Sequence, residues 1–313
     1  MFFRSRRVRN VYVLDALLVA VGLLLFPLDA FAWGPVAHID FGMQLLSGAA
    51  ILAPALRRLL GRHPLDFIYG SLAADAVVGK NLADRADHCH DWDVARGLLS
   101  DAQGGGDHLR AFAYGYLTHL AADVVAHNHF VPERLIACYR TRGLGHLYWE
   151  ARCDEKLLAM SPQTRGAWRD VSKLCFKEHD ALLADRLVPT LFSTPLSTRI
   201  YRGALKIQRR GPWRAALGRI DARSRIPLSQ DEIELWRGLS VEMARRALAD
   251  PSGEELSRFD PTGIEALARA ANKRKLLRRH FKRHGDTPDL RRMLDLGLAD
   301  LPTAEEMRTA GLL

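Results

Sequence analysis

The residues whose types and spacing could do chemistry are most concentrated in the segment Gly115–His129. His119, Asp123 and His127 follow one another at intervals of four, and no proline or further glycine interrupts the segment, so we expect a helix. Residues four apart on a helix lie on one face, about 5–6 Å apart. Imidazole and carboxylate groups at that spacing can share a zinc ion, with His129 just off the row. The spacing is equally typical of packed helical histidines, so the rest of the chain must decide.

Other candidate ligands precede this helix. The apolar, helix-like segment 66–75 ends on Asp75, where a charge is costly unless it is paired or coordinated. The polar segment 81–93 carries His88 and His90. One or both of these histidines could reach a metal site.

A second predicted helix follows the central one and repeats its spacing, because His146 and Glu150 are also four residues apart. Nitrogen and oxygen donors of this kind suit zinc. Nearly all the candidate ligands lie before residue 151, and this clustering favours a metal site over a purely structural origin.

The first 32 residues predict a secretory signal peptide. Four arginines precede an apolar stretch at 16–26, and Ala30-Phe31-Ala32 is a typical cleavage site. A membrane anchor is the alternative, but the stretch is shorter than the ~20 apolar residues of a spanning helix. We therefore expect a secreted or periplasmic protein that begins at Trp33. The freed amine and carbonyl of Trp33, together with His38, form a further potential ligand set.

The chain of 313 residues is 48% hydrophobic, which suits one large domain or two moderate ones. No strand-rich segment is visible, so we predict an all-α, multi-helix fold. We divide the chain into a signal peptide at 1–32, a catalytic region at 33–190 and a basic helical C-terminal region at 191–313.

The remainder of the chain, from Ser161 onwards, predicts amphipathic helices at Trp168–Phe192 and Ser229–Leu248, and a basic helix that contains Lys273–Arg283. With a net charge of +9, contact with an anionic membrane is one interpretation of that basic helix, at about 1 kcal/mol per cation. A solvated helix face is the other. No stable protein partner is indicated. In an exported chain the four cysteines could pair, for example Cys153 with Cys175.

In combination, these motifs resemble the zinc-dependent phospholipase C superfamily. The resemblance covers about Trp33–Lys156 and implies an all-helical domain that binds up to three zinc ions. The implied ligand sets are Asp75, His88, His119 and Asp123 for one ion; Trp33, His38 and Asp123 for a second; and His146, Glu150 and either His127 or His129 for a third. His129 fits the usual family spacing, whereas His127 fits that of the glycosylphosphatidylinositol-specific phospholipase D branch.

The activity that this resemblance implies is phosphodiester hydrolysis by metal-activated water. Zinc polarises phosphoryl oxygens and lowers the pKa of bound water from about 15.7 towards about 7. Asp75 is the candidate catalytic carboxylate, with a plain ligand role as its alternative. We expect a phospholipid substrate and C-type cleavage. One alternative is D-type cleavage of the same substrate. A second is a single-strand-specific zinc nuclease or nucleotidase, because the spacing from Trp33 to His38 also resembles that of these nucleases. A third is a non-catalytic zinc-stabilised binding protein.

Overall fold

The computed structural model describes residues 33–77, 88–140, 146–173, 176–187, 192–209, 226–299 and 301, with five isolated positions between 211 and 224. The helices in these parts of the chain are α1 (Pro35–Ser47), α2 (Pro54–Arg62), α3 (Pro64–Ala73), α4 (Trp92–Asp101), α5 (Asp107–Val125), α6 (Val131–Ala137), α7 (His146–Met160), α8 (Pro162–Val171), α9 (Lys177–Arg186), α10 (Thr194–Gln208), α11 (Gln230–Ala249), α12 (Glu254–Ser257), α13 (Ile264–His284) and α14 (Pro288–Ala299). The predicted all-α fold class is confirmed. The predicted signal peptide, Cys175 and the side chain of His146 lie outside the described residues.

Helices α3 and α5 form the centre of the fold and run side by side in the same direction. They touch at two glycines: a Cβ added to Gly70 would lie 2.0 Å from the carbonyl oxygen of Phe112, and one added to Gly115 would lie 2.0 Å from that of Phe67. Only residues without a side chain allow the backbones to approach so closely. Because the two helices are parallel, their N-termini lie together at one end of the pair and their C-termini lie together at the other.

Helices α1 and α11 pack around this pair and complete the main core. Helix α1 begins at Pro35, a residue whose fixed φ suits the first helical position. Helix α11 begins with a capping box in which Ser229 and Glu232 bond to each other's backbone N–H groups. Its buried residues, including Trp236, belong to the same hydrophobic core as α3 and α5. Thus α11, which follows the predicted boundary at residue 190, shares its core with the catalytic region.

The helix predicted at Trp168–Phe192 is wrong as a single element. Helix α8 ends at Val171 and α9 begins at Lys177. Between them Phe176 has non-helical backbone angles, φ −107° and ψ 57°. Its ring stacks on Tyr69 with centroids 4.1 Å apart, so tertiary packing ends the helical periodicity. The helix predicted at Ser229–Leu248 is confirmed as α11.

The C-terminal helices form a smaller second core. Ile136 and Tyr139 pack there against Ala270, Leu277 and Leu290 of α13 and α14. The basic helix predicted around Lys273–Arg283 is confirmed as part of α13. In the described part of the chain, no helix is both long enough and apolar enough to cross a membrane.

The disulfide bond proposed between Cys153 and Cys175 stays a prediction, because Cys175 lies outside the described residues; Cys153 is not bonded to either of the other described cysteines. This residue is a buried free thiol, and burial raises its pKa well above the usual value. A buried protonated thiol is chemically inert.

Candidate metal centre

Five predicted ligands meet at the C-terminal end of the α3–α5 pair. We call them the buried cluster, and none is more than 2% exposed: His38, Asp75, His90, His119 and Asp123. They come from α1, the turn after α3, the turn before α4, and α5. Within the cluster, two groups of three residues have donor atoms all within 4.8 Å of one another.

The central helix contributes His119 and Asp123, as the four-residue spacing predicts. His119 Nε2 lies 3.2 Å from Asp123 Oδ2. The other ring nitrogen of His119, Nδ1, lies 2.9 Å from the carbonyl oxygen of Ser71 on α3. A histidine held this way at Nδ1 presents Nε2 in a fixed direction, which is the usual arrangement of a metal-ligating histidine.

His38 contacts the other oxygen of the same carboxylate. Its Nε2 lies 3.3 Å from Asp123 Oδ1, and its ring stacks on that of His119 with centroids 3.9 Å apart. Helix α1 is held in place by Asp154 of α7, whose carboxylate accepts hydrogen bonds from the backbone N–H groups of Val36 and Ala37 at 3.2 and 3.0 Å. The sequence reasoning missed Asp154. Its only signal was a third polar position, four residues after Glu150 on the same helix.

His90 occupies the place that the resemblance implied for His88. His90 Nε2 lies 3.1 Å from Asp123 Oδ2 and 3.5 Å from Asp75 Oδ1. His88 is half-buried, and its Nδ1 accepts a hydrogen bond from the backbone N–H of His90 at 3.1 Å. The turn therefore directs His90 inward and folds His88 back beside it.

The aspartate that directly follows His90 has a local structural role. Asp91 caps α4, because its side chain accepts a hydrogen bond from the backbone N–H of Asp93 at 2.7 Å. The turn is also fixed to α5, since the hydroxyl of Tyr116 donates to the carbonyl oxygen of Cys89. Both contacts help to hold His90 against the central helix.

The electrostatics of the cluster fit a bound cation. Burial alone would raise the pKa of Asp123, but the charge of His119 and the close contacts with the imidazoles of His119, His38 and His90, at 3.1–3.3 Å, together hold it well below its usual value. Burial, followed by repulsion from His119, lowers the pKa of His38. Zinc requires an ionised carboxylate and a deprotonated imidazole, and these shifts favour those states at Asp123 and His38.

Buried polar atoms that lack hydrogen bonds also indicate a bound cation. Both carboxylate oxygens of Asp123 and Nε2 of His38 are buried without a well-directed hydrogen bond among the described residues. Such atoms are costly in a protein interior unless something else binds them. Nitrogen and carboxylate oxygen donors in this number match zinc, so the residues fit the metal.

Trp33 lies next to this cluster and is completely buried. Its indole N–H donates to the carbonyl oxygen of Ala122 at 3.0 Å, and its ring stacks on Phe130 at 4.7 Å. The residue is thus anchored one position before Asp123 on the central helix. The ligand role of its amine and carbonyl stays a prediction.

The two histidines at the end of the central helix separate into different surroundings. The helix changes to a π-turn at Ala126–Phe130. His127 is buried, its ring centroid lies 6.5 Å from that of His90, and its Nδ1 is in hydrogen-bond contact with the carbonyl oxygen of Pro261. His129 instead lines a cavity of about 880 Å³ beside α13, and burial lowers its pKa to about 4.

Of the remaining predicted ligands, Glu150 is described and buried. It lines a small cavity together with Gly34, Pro35 and Asp154, and therefore lies near the start of α1. His146 begins α7 as predicted.

A sequence model of the family described as zinc-dependent phospholipase C matches residues 37–197 of the chain. The match contains the whole buried cluster and extends beyond it into α10. No curated protein and no solved structure matches the chain.

Proposed function

Because this chain belongs to the zinc-dependent phospholipase C family, we propose that it is an exported zinc-dependent phosphodiesterase that hydrolyses phospholipids on the glycerol side of the phosphate. The observation that carries the proposal is the buried cluster. It gathers three imidazoles and the carboxylates of Asp75 and Asp123, and both oxygens of Asp123 and Nε2 of His38 lack a well-directed hydrogen bond within the described residues. Hydrophobic packing alone does not require such a set of imidazole nitrogens and carboxylate oxygens.

Asp123 is the bridging ligand in this proposal. One of its oxygens faces His90 and His119, which with Asp75 would hold one zinc ion. The other faces His38, which with the amine and carbonyl of Trp33 would hold a second. When bound, zinc supplies a Lewis acid that neutralises phosphoryl charge and promotes the ionisation of water.

A third ion would take His146, Glu150 and a histidine from the π-turn, and the contacts favour His127. Its Nδ1 contacts the carbonyl oxygen of Pro261, and a contact of this kind orients the ring of a metal-ligating histidine. His129 has no equivalent support, because its Nδ1 is buried without a hydrogen-bond partner among the described residues.

Asp75 is the proposed catalytic carboxylate. It lies at the edge of the cluster, 3.5 Å from His90 Nε2 and 3.9 Å from His119 Nε2. From there it can orient an attacking water molecule and accept its proton as a general base.

Two features favour a phospholipid over a nucleic acid. Of the rings nearest the ligand motifs, Trp92 and Trp149 are buried. Half-buried Tyr148 contacts the guanidinium of Arg152 and the ring of Trp149. This arrangement disfavours the stacking of an unpaired base that nucleic-acid binding requires. Helix α13 exposes Lys275, Leu276 and Arg279 to solvent. Cations beside an apolar side chain suit the surface of an anionic membrane.

The mature protein, beginning at Trp33, tests this proposal in one incubation with mixed phospholipid vesicles and single-stranded DNA. Mass spectrometry should find diacylglycerol and phosphorylated head group, and a chelator should abolish both products. Phosphatidic acid would indicate D-type cleavage, and nucleotides with intact lipid would indicate a nuclease. Bound zinc without any product would indicate a structural zinc protein.

Export is proposed on the N-terminal sequence alone and places the enzyme outside the cell or in the periplasm. N-terminal sequencing of the exported protein should begin at Trp33. Any other start would remove the amine from the proposed ligand set.

A further inference from the structure

A second group of histidines and carboxylates lies at the opposite end of the α3–α5 pair. We call it the peripheral cluster, and it consists of His63, Asp66, His108, Glu178 and His179. These residues occupy the N-terminal ends of three helices, α3, α5 and α9. At 1.5 Å per residue, the 11 residues between His108 and His119 put the two clusters about 16 Å apart.

The peripheral cluster is built from imidazole–carboxylate contacts. His179 Nε2 lies 2.9 Å from Asp66 Oδ1, and the other oxygen of Asp66 lies 3.6 Å from His63 Nδ1. His108 Nε2 lies 2.7 Å from Glu178 Oε2. One aspartate thus links two histidines, and the third histidine has a carboxylate of its own.

His179 is the fixed centre of the cluster. It is 5% exposed, and the rings of Tyr69, Phe112 and Phe176 meet it edge to face at 6.0, 5.1 and 5.2 Å. Neither of its ring nitrogens makes a well-directed hydrogen bond within the described parts of the chain. A buried imidazole without such bonds is costly, and a metal ion would remove that cost.

The ring spacing fits shared coordination. Two imidazoles bound to one tetrahedral zinc ion have ring centroids about 5 Å apart. The centroids of His108 and His179 are separated by 5.4 Å, and those of His63 and His108 by 6.4 Å. No three donor atoms of the peripheral cluster lie within 4.8 Å of one another in this arrangement, so the partly exposed His63 and His108 and the exposed Glu178 must rotate to close around an ion.

The position of the cluster argues against simple ion pairs. Acidic residues in the first turn of a helix are favourable there, which accounts for Asp66 and Glu178. Cationic side chains are unfavourable at the same place, yet three histidines gather there. Neutral imidazole is the form that binds a transition metal, and the two carboxylates supply the negative charge that a divalent ion needs.

We propose that the peripheral cluster binds a zinc-type divalent metal ion that ties the N-terminal ends of α3, α5 and α9 together. His179 and Asp66 are its fixed ligands, and the more exposed His63, His108 and Glu178 complete the coordination. The ion stabilises the fold and takes no part in hydrolysis. This site is independent of the proposed function.

The test compares zinc content in variants of the mature protein. Each protein is stripped with chelator, reloaded with zinc alone and desalted, and its zinc is counted by mass spectrometry. The double variant His63→Ala/His108→Ala should hold one ion fewer than the wild type. His284→Ala, which removes an exposed histidine from α13, should hold the wild-type number. Equal zinc in the double variant and the wild type would overturn the proposal.

Two further measurements separate this site from the active centre. Zinc should raise the unfolding temperature of Asp123→Ala, whose buried cluster is disabled, but should raise it less when His63→Ala/His108→Ala is added, because an ion that binds only the folded chain stabilises it. An equal rise in both proteins would contradict the peripheral site. The double variant should retain wild-type phosphodiesterase activity, and an activity loss equal to that of Asp123→Ala would place these residues in the active centre instead.

Discussion

The two ends of the α3–α5 pair carry the same kinds of donor in opposite environments. In the buried cluster, no side chain is more than 2% exposed, and the three imidazoles lie 3.1–3.3 Å from Asp123. In the peripheral cluster only His179 is buried, whereas His63 and His108 are 29% and 32% exposed. The donors are alike, so burial accounts for the difference between the two sites.

Burial decides what each site needs. Water cannot reach Asp123, so its charge must be met by neighbouring residues or a metal ion. Water can solvate His63 and His108, so the peripheral cluster tolerates the loss of its ion. We therefore expect the metal to be essential for chemistry at one end of the pair and to contribute only stability at the other.

The largest difference between the two clusters is expected when the aspartate of each one is replaced by asparagine. Asp123→Asn should lower phosphodiester hydrolysis by at least about 100-fold, since loss of even an outer-shell partner costs 10–100-fold. Asp66→Asn should leave hydrolysis nearly unchanged and lower the zinc content instead. Steady-state rates on a soluble phosphodiester check both variants. Equal losses in the two would show that the sites do not differ as proposed.

The next largest effect is expected from a substitution that separates α3 from α5 and so disturbs both clusters. In Gly115→Ala the new Cβ would lie 2.0 Å from a carbonyl oxygen of α3, so the helices must separate. Overpacking of this kind costs about 1–3 kcal/mol of unfolding free energy, and a rigid backbone neighbour favours the upper end. Urea unfolding measures the loss, and zinc binding at both clusters should weaken with it.

Gly238→Ala is the matched control for that change. Gly238 lies within α11, and an added Cβ meets nothing within 4 Å. Alanine should stabilise this helix by up to about 1 kcal/mol. If both glycine variants change stability by the same amount, the close contact between α3 and α5 is not what makes Gly115 necessary.

Helical periodicity predicted the part of the buried cluster that depends on register. His119 and Asp123 are one turn apart on one helix, so their spacing alone puts them on one face. Asp75 could be chosen because a charge that ends an apolar helix needs a partner. These inferences succeed because a helix has a fixed repeat, and the family motif matches the same part of the chain.

The sequence could not decide where a turn directs its side chains. The choice between His88 and His90 depends on a hydrogen bond between the two residues, which no periodicity reveals. The peripheral cluster escaped notice for a related reason. Its histidines come from three helices and share no short spacing, so only the packing of α3, α5 and α9 brings them together.

The next prediction concerns His129 and the pH dependence of stability that is expected from a histidine shielded from solvent without a bound metal. Burial lowers its pKa from 6.5 to about 4, so between these pH values the unfolded chain binds a proton that the folded chain does not. The contribution of His129 to stability is therefore complete above pH 6.5 and lost as pH falls towards 4. His129→Gln, which cannot titrate, should make this decline shallower by up to about 3 kcal/mol.

Urea unfolding of the metal-free protein between pH 4 and 7 measures that difference. The matched control is His284→Gln, whose exposed side chain should leave the decline unchanged. An unaltered acid response in His129→Gln, combined with loss of a zinc ion, would instead identify His129 as the ligand in place of His127.

The smallest expected effect concerns the binding of the protein to a membrane that contains its substrate. Leu276, Arg279 and Arg283 are exposed, and their spacing of three and four puts them on one face of α13. Near an anionic membrane each cation contributes about 1 kcal/mol, so Arg279→Ala should weaken binding to anionic vesicles about fivefold. Arg58→Ala, which removes an exposed cation from α2, should leave vesicle binding unchanged. Co-sedimentation at two salt concentrations measures both, and raising the salt should reduce the difference because it screens exposed charges. Equal binding by Arg279→Ala and Arg58→Ala would show that α13 is a solvated face and that the substrate reaches the buried centre without it.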